Sequence, residues 1–170
     1  MKDLLELQRK NEEIAAKYQV VEERLALTDN PVALFEGWMT GMTEAFGIPF
    51  LWVSIVHDPE NGPLIEKLKS SAMFNGRLNL ADGAVFMELA PNGERPVLAT
   101  GEIRPYYRLL PQNKYFIKSL ALAPITLHGR VIGSLNHGDS SPTRYAPDMD
   151  SSLLQQLASH LSRRLSAMMP

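Results

Sequence analysis

The stretch that most constrains this chain is Ile117–Asp139, IKSLALAPITLHGRVIGSLNHGD. Two apolar runs, Ser119–Leu127 and Arg130–Asn136, flank the dipeptide His128-Gly129. Short runs rich in Val, Ile and Leu, closed by a glycine turn, read as a β-hairpin in the middle of a sheet. Gly133 inside the second run implies that a helix or another backbone passes too close for a side chain. Pro124 donates nothing to the ladder, which predicts a bulge or a locally unpaired donor there.

Upstream, Phe50–Val56 reads as a strand with Phe50, Trp52, Ser54 and Val56 on one face and Leu51, Val53 and Ile55 on the other. Both faces are apolar, so the strand is expected to be buried on both sides. Asn30 is placed to cap a helix that starts at Pro31, carries Leu34, Phe35, Trp38, Met39, Met42 and Phe46, and stops at Gly47. Its aromatic and Met stripe is at core spacing rather than being a cofactor box. Leu64–Ser70 reads as a short helix, Ala72–Leu80 as a strand interrupted at Gly76, Ala81–Ala90 as a helix capped by Asp82, and Val97–Thr100 as a short strand. The last helix is expected over Pro147–Met168, with Leu153, Leu154, Leu157, Leu161, Leu165 and Met168 along one side.

The N-terminal segment has a different periodicity. Leu4, Leu7, Asn11, Ile14, Tyr18, Val21 and Leu25 fall at alternating spacings of three and four, the heptad seam of a coiled coil. Asn11 sits at an a position, where a polar side chain tends to fix register and oligomer state. Lys17 at g and Glu22 at the following e would attract across a parallel pair. A homodimer is therefore expected, formed by this seam together with Leu157 and Leu161 of the last helix. The bland alternative is a helix lying along its own domain.

After the hairpin come Asp139–Pro142, then Arg144-Tyr145-Ala146-Pro147-Asp148, then the leucine-rich helix. An apolar strand with an internal Pro, a Gly turn, V-I-G-x-L, an aromatic residue, Pro and a closing helix resembles the end of a GAF domain, the small-molecule sensor module of phosphodiesterases, cyclases and bacterial regulators. The likeness is strongest over Ile117–Leu165 and extends to a bacterial GAF-like family of unknown function. It implies an α+β, profilin/PAS-like fold: a central antiparallel sheet of five to six strands, with N- and C-terminal helices on one face. The pocket would lie on the other face, roofed by Leu64–Lys114. On this reading residues 1–28 are a coiled-coil-type helix and residues 29–170 the GAF-like domain. Asn113-Lys114 followed by Phe116 resembles the start of the Asn-Lys…Phe…Asp-Glu motif of cyclic-nucleotide GAF domains. The match ends there, because Leu120 and Ala121 stand where Asp and Glu would be.

With 170 residues, 45% apolar and 21% charged, the chain suits one globular domain plus an extra helix. A formal net charge of -2 gives no electrostatic footprint for nucleic acid. Met1–Asn11 mixes charges without an apolar core, unlike a signal peptide or a membrane span, so a cytoplasmic protein is expected. The chain has no cysteine. That removes disulfides, thiolate metal sites and a cysteine nucleophile, and with them the routes by which bilin-binding GAF domains hold chromophore and GAF-type methionine sulfoxide reductases work. His57-Asp58 and His137-Gly138-Asp139 offer ligand types for a metal, but they would lie at opposite ends of antiparallel neighbours. Asp139-Ser140-Ser141 lacks the context of a nucleophile elbow. No enzyme activity, cofactor or metal is expected.

Gly101–Lys114, GEIRPYYRLLPQNK, is the one long irregular segment, and such loops on apolar scaffolds usually carry recognition. Its Arg104, Tyr106, Tyr107 and Arg108, with Trp52 and Phe74, are the candidate ligand-binding residues. Tyrosine offers a stacking face and a hydroxyl, and arginine a planar fork, which together suit a small acidic or aromatic ligand. The expected function is a small-molecule-sensing regulatory domain that signals through dimer packing to a separate effector protein, unless the sequence is a fragment of a larger regulator. The alternative is a structural dimerisation module whose pocket is filled by its own side chains.

Overall fold

The computed structural model describes residues 2–110 and 116–170. Asn113-Lys114 and the end of the expected roof lie outside the described residues. Helix α1 (Lys2–Ala26) leads into α2 (Pro31–Phe46), then β1 (Phe50–Val56), α3 (Gly62–Lys69), β2 (Leu78–Ala81), α4 (Gly83–Leu89) and β3 (Val97–Thr100). A 3₁₀ helix, Arg104–Leu109, precedes the hairpin β4 (Ser119–Leu127) and β5 (Arg130–Asp139), and α5 (Ser152–Met168) closes the chain.

Local chemistry sets most of these boundaries. The Asn30 side chain accepts from the Ala33 amide at 2.9 Å, Pro31 opens α2, and Gly47 at φ +61° ends it. Asp82 caps α4 by accepting from the Val85 amide at 3.2 Å. The β4–β5 turn places His128 at φ +52° and Gly129 at φ +81°, the two left-handed residues of a type I′ hairpin. The α5 end braces that turn, with the Ser166 hydroxyl accepting from the His128 amide at 2.9 Å.

The sheet has five strands in the order β2-β1-β5-β4-β3. Pairing is antiparallel except for β1 with β2, which run parallel. The sheet is therefore mixed rather than antiparallel throughout. The reason lies in the connection: α3 and a 3₁₀ turn at Ala72–Phe74 carry the chain back to its starting end before β2 begins, as a parallel pairing requires. The strand expected over Ala72–Leu80 is correspondingly shorter, with Gly76 turning at φ +74° ahead of Leu78. Helix α5 begins at Ser152, after the Asp150 carboxylate has accepted from the Ser152 amide at 2.9 Å.

The hairpin's special residues behave as their chemistry demands. A Cβ on Gly133 would stand 1.9 Å from the Ser54 carbonyl oxygen, so the close neighbour is the β1 backbone. Pro124 stays in register with Ser134, and the ladder slips one residue later, between Ile125 and Thr126.

Both sheet faces are covered. On one, α1, α2 and α5 bury Leu25, Phe35, Trp38, Leu157 and Leu161 against Val53, Ile55, Ala121 and Leu135. On the other, α4 and the 3₁₀ helix close over Trp52, Leu120 and Leu122, with Ala99 of the edge strand β3 beside them. The terminal helices thus share one face, as expected. The seam of α1 divides in two: Val21 and Leu25 are fully buried in this chain's own core, and Tyr18 tilts onto Phe46 with centroids 4.8 Å apart. Leu157 and Leu161 are likewise fully buried within the chain. These four residues cannot serve as dimer contacts, because α1, α2 and α5 pack on one another and on the sheet before any partner arrives. Leu4, Leu7 and Ile14 remain 69%, 56% and 41% exposed, and Asn11 is exposed with them.

Candidate functional site

Polar side chains are sparse on the second face of the sheet, and those present converge. Trp52 and Ser54 project from β1, Ser134 and Asn136 from β5, and Asn79 from β2. Strand register brings them together, with Trp52 opposite Asn136, Ser54 opposite Ser134, and Asn79 beside Ser54. The Ser134 hydroxyl donates to Asn136 Oδ1 at 2.6 Å, and Asn136 Nδ2 donates to Ser54 Oγ at 2.8 Å. Asn79 Nδ2 donates to the same Ser54 oxygen at 3.2 Å. Ser54 then gives its own proton to the Leu109 carbonyl at 3.4 Å, where the Trp52 indole Nε1 also donates at 2.6 Å. The donations through Ser54 and Trp52 run toward one carbonyl oxygen at the end of the 3₁₀ helix.

The surroundings are apolar and tightly closed. Trp52, Phe86, Leu109, Leu120 and Leu122 are each at most 1% exposed, and Ser54, Ser134 and Asn136 are fully buried. The 3₁₀ helix is thus a lid whose inner surface is backbone carbonyl and the Leu109 side chain.

The expected binding residues separate in this frame. Trp52 is central to the network, and Tyr106 and Tyr107 are half-buried against its apolar rim. Phe74 belongs to the opposite face, edge-on to Phe35 with centroids 6.4 Å apart, because the turn at Ala72–Phe74 tucks beneath α2 instead of entering the sheet. Arg104 points to solvent, where its Nη2 holds Glu102 Oε2 at 2.7 Å. The hydrogen bond from that guanidinium brings the Glu102 carboxyl down to about 2. Arg108 is exposed and turns its carbonyl inward, toward Asn79 Nδ2 at 3.5 Å. A 3₁₀ helix has three residues per turn, so the two arginines cannot share the inward face with Leu109. Ser54, Asn79, Ser134 and Asn136 were not among the expected site residues. Their signal in the sequence was Ser134-Leu135-Asn136, polar residues at alternate positions in a run otherwise built for burial.

A second buried polar group lies on the helix face. His137 is 1% exposed, and neither ring nitrogen makes a hydrogen bond of good geometry, although the Ala121 backbone paired with it on β4 favours the charged ring. Trp38 meets it edge-on at 5.7 Å and Tyr145 tilts toward it at 6.3 Å between ring centroids, with Trp38 Nε1 and the Tyr145 hydroxyl also unpartnered. Burial holds the His137 imidazolium down to about 4, the Ala121 carbonyl opposes this, and the Arg144 charge adds to it. Burial likewise raises the Tyr145 hydroxyl above its ordinary range. Arg144 binds Asp139 Oδ2 at 3.1 Å and donates to the Phe46 carbonyl at 2.7 Å, tying the loop before α5 to the end of α2. His137 pairs with Leu51 at the start of β1, whereas His57 follows its end, so the two histidine clusters stand apart. Among the described residues no three His, Asp or Glu side chains gather to hold a metal ion. No described helix is long and apolar enough to cross a membrane.

A five-stranded mixed sheet carrying its terminal helices on one face and a lidded, polar-inlaid surface on the other defines a small α+β domain. The family profile of the GAF domain matches residues 20–165, and the chain belongs to that family, whose members are regulatory and sensor domains. Among solved structures, the GAF domain of an Acinetobacter phosphoenolpyruvate-protein phosphotransferase superimposes with a TM-score of 0.63 at 15% identity, covering 89% of this chain and 92% of that one. The free methionine-R-sulfoxide reductase of Neisseria meningitidis, solved in complex with its substrate, superimposes at 0.59 with 19% identity over 91% of each chain. At these identities the likeness concerns the fold. No curated protein matches the chain.

Proposed function

We propose that this chain is a small-molecule-sensing regulatory domain that acts by binding rather than catalysis, and that it reports occupancy through the packing of its helices in a homodimer to a separate partner protein. The single observation that carries the reading is the network of Ser54, Asn79, Ser134 and Asn136 ending on the Leu109 carbonyl. A face that needed only to be filled could be filled with apolar side chains at little or no cost, whereas a few convergent polar groups in an apolar setting are the usual make-up of a ligand site. The lid is joined to the sheet by few polar contacts, so a ligand that replaces them would exchange one closed state for another.

The exposed part of the α1 seam supports the dimer. Leu4, Leu7 and Ala15 lie with Gln8, Asn11 and Glu12 along one open side of α1, and Leu4, Leu7 and Ile14 continue the line of Tyr18, Val21 and Leu25 beyond the core. Isolated helical turns of this length are marginal in water, so a second copy that covers them would stabilise α1. In this arrangement the exposed turns of α1 around Leu4–Ile14 form the arm, and Tyr18, Val21 and Leu25 already belong to the sensor's core.

A second reading, a structural module whose pocket is filled by its own chain, is favoured by the closure of the lid over Trp52. Native mass spectrometry of protein purified without added ligand separates the two. The sensor reading expects dimers and a retained or exchangeable small molecule. Dimers that carry nothing and do not change melting temperature with any nucleotide, amino acid or aromatic acid at millimolar concentration would sink it. A ligand at about 100 times its dissociation constant should add roughly 2.7 kcal/mol. Replacing Leu4, Leu7 and Ile14 by Asp should yield folded monomers, and a triple variant that stays dimeric would put the interface elsewhere.

A further inference from the structure

From the direction of the hydrogen bonds in the lidded site we infer that the ligand is an uncharged, carbonyl-bearing small molecule with a compact apolar or flat body, an inference that rests on the sensing role proposed above. The network ends in donors. Ser54 Oγ already accepts from Asn79 and Asn136, so its one proton must go outward, and the Trp52 indole can only donate. In the closed state both reach a single acceptor, the Leu109 carbonyl. The group that takes the lid's place must therefore bring an oxygen acceptor to the same point.

The charge of that acceptor follows from what faces it. The side chains of the network are a serine pair, two asparagines and an indole, all neutral. Arg104 is held by Glu102 in solvent, and Arg108 presents its backbone, not its guanidinium, to the site. Two neutral donors satisfy a carbonyl oxygen, but they leave most of a carboxylate's or phosphate's lost hydration unreplaced, and a buried unpaired charge costs far more than a buried amide. The acidic ligand expected from the arginines is thus disfavoured by the site they were expected to serve. The apolar remainder of the ligand would occupy the place of the Leu109 side chain, among Trp52, Phe86, Leu120 and Leu122.

The test uses the full chain with Leu109→Ala, which removes the side chain that anchors the lid, so that a ligand can displace it, and leaves both donors, Trp52 and Ser54, intact. Two matched pairs of probes are titrated: N-acetyl-leucine N-methylamide against N-acetyl-leucine, and uracil against its carboxylate, orotate. Binding is read from the Trp52 indole N–H resonance, identified by its loss in Trp52→Phe, and from the thermal midpoint. The neutral member of at least one pair should bind about tenfold more tightly than its acid, as the cost of burying an unpaired charge predicts. Trp52→Phe introduced beside Leu109→Ala should remove that binding. An acid that binds as tightly as its neutral partner, with the same shift at Trp52, overturns the ligand class and leaves the sensing role standing. No shift at Trp52 with any probe overturns both and leaves the self-filled module. If Leu109→Ala does not fold, the same titrations on the unaltered chain, with the same outcomes, decide the matter.

Discussion

Lowering the pH should weaken this domain through one side chain, His137. In the unfolded chain its imidazole takes up a proton as the pH falls through 6.5, whereas in the folded protein burial holds that step down to about 4. Between those values the unfolded state binds more protons, so stability falls as the pH falls. Above 6.5 the ring is neutral in both states and contributes no pH dependence. Below about 4 it is protonated in both states, and the loss is complete. At about 1.4 kcal/mol per pH unit the loss amounts to roughly 3 kcal/mol, a large share of a domain's stability. The Ala121 carbonyl opposes this in part, and the value of about 4 already includes its effect. Arg144 on the following loop repels the imidazolium, Trp38 on α2 is uncharged, and Asp139 is engaged by Arg144. The comparison is with His137→Phe, which keeps an aromatic ring against Trp38 and removes both ring nitrogens. Urea unfolding followed by circular dichroism, at fixed protein concentration and several pH values from 7.5 to 4, gives the stability of each protein. Shared carboxylates act on both chains, so the difference between the curves isolates His137. The variant should match or exceed the parent at neutral pH and gain on it by about 3 kcal/mol toward pH 4. A difference that stays constant across the range would refute the reasoning, as would an imidazole titration near 6.5 seen directly by NMR.

Further outcomes follow from single contacts. Gly133→Ala would force a Cβ into the Ser54 carbonyl and should cost several kcal/mol or prevent folding, seen as loss of the thermal transition. Arg144→Ala removes the Asp139 pair and the donor to the Phe46 carbonyl, and should lower stability by about 2 kcal/mol in denaturant titrations. Arg104→Ala breaks only a solvent-exposed pair, so its melting temperature should match the parent's.

What the sequence alone determined is whatever depends on near neighbours along the chain. The I′ turn needs two residues with positive φ, which His128-Gly129 supplies, and the cap at Asn30, the start at Pro31 and the stop at Gly47 are likewise local. Gly133 was legible as a close approach, by a helix or another backbone, because a glycine inside a strand gives up a packed side chain. Tertiary structure decided the rest, for reasons of direction. An apolar stripe does not say which surface covers it: Val21 and Leu25 went into this chain's own core, while Leu4, Leu7 and Ile14 stayed exposed along the same helix. The arginines and tyrosines of Arg104–Leu109 announced an irregular, polar segment, but only the seating of the 3₁₀ helix turned its carbonyls inward and its guanidinium groups out. The site itself was the least visible part, because it is assembled by strand register from Ser54, Asn79 and Asn136, residues far apart in sequence, and pairing across a sheet is information that no single strand carries.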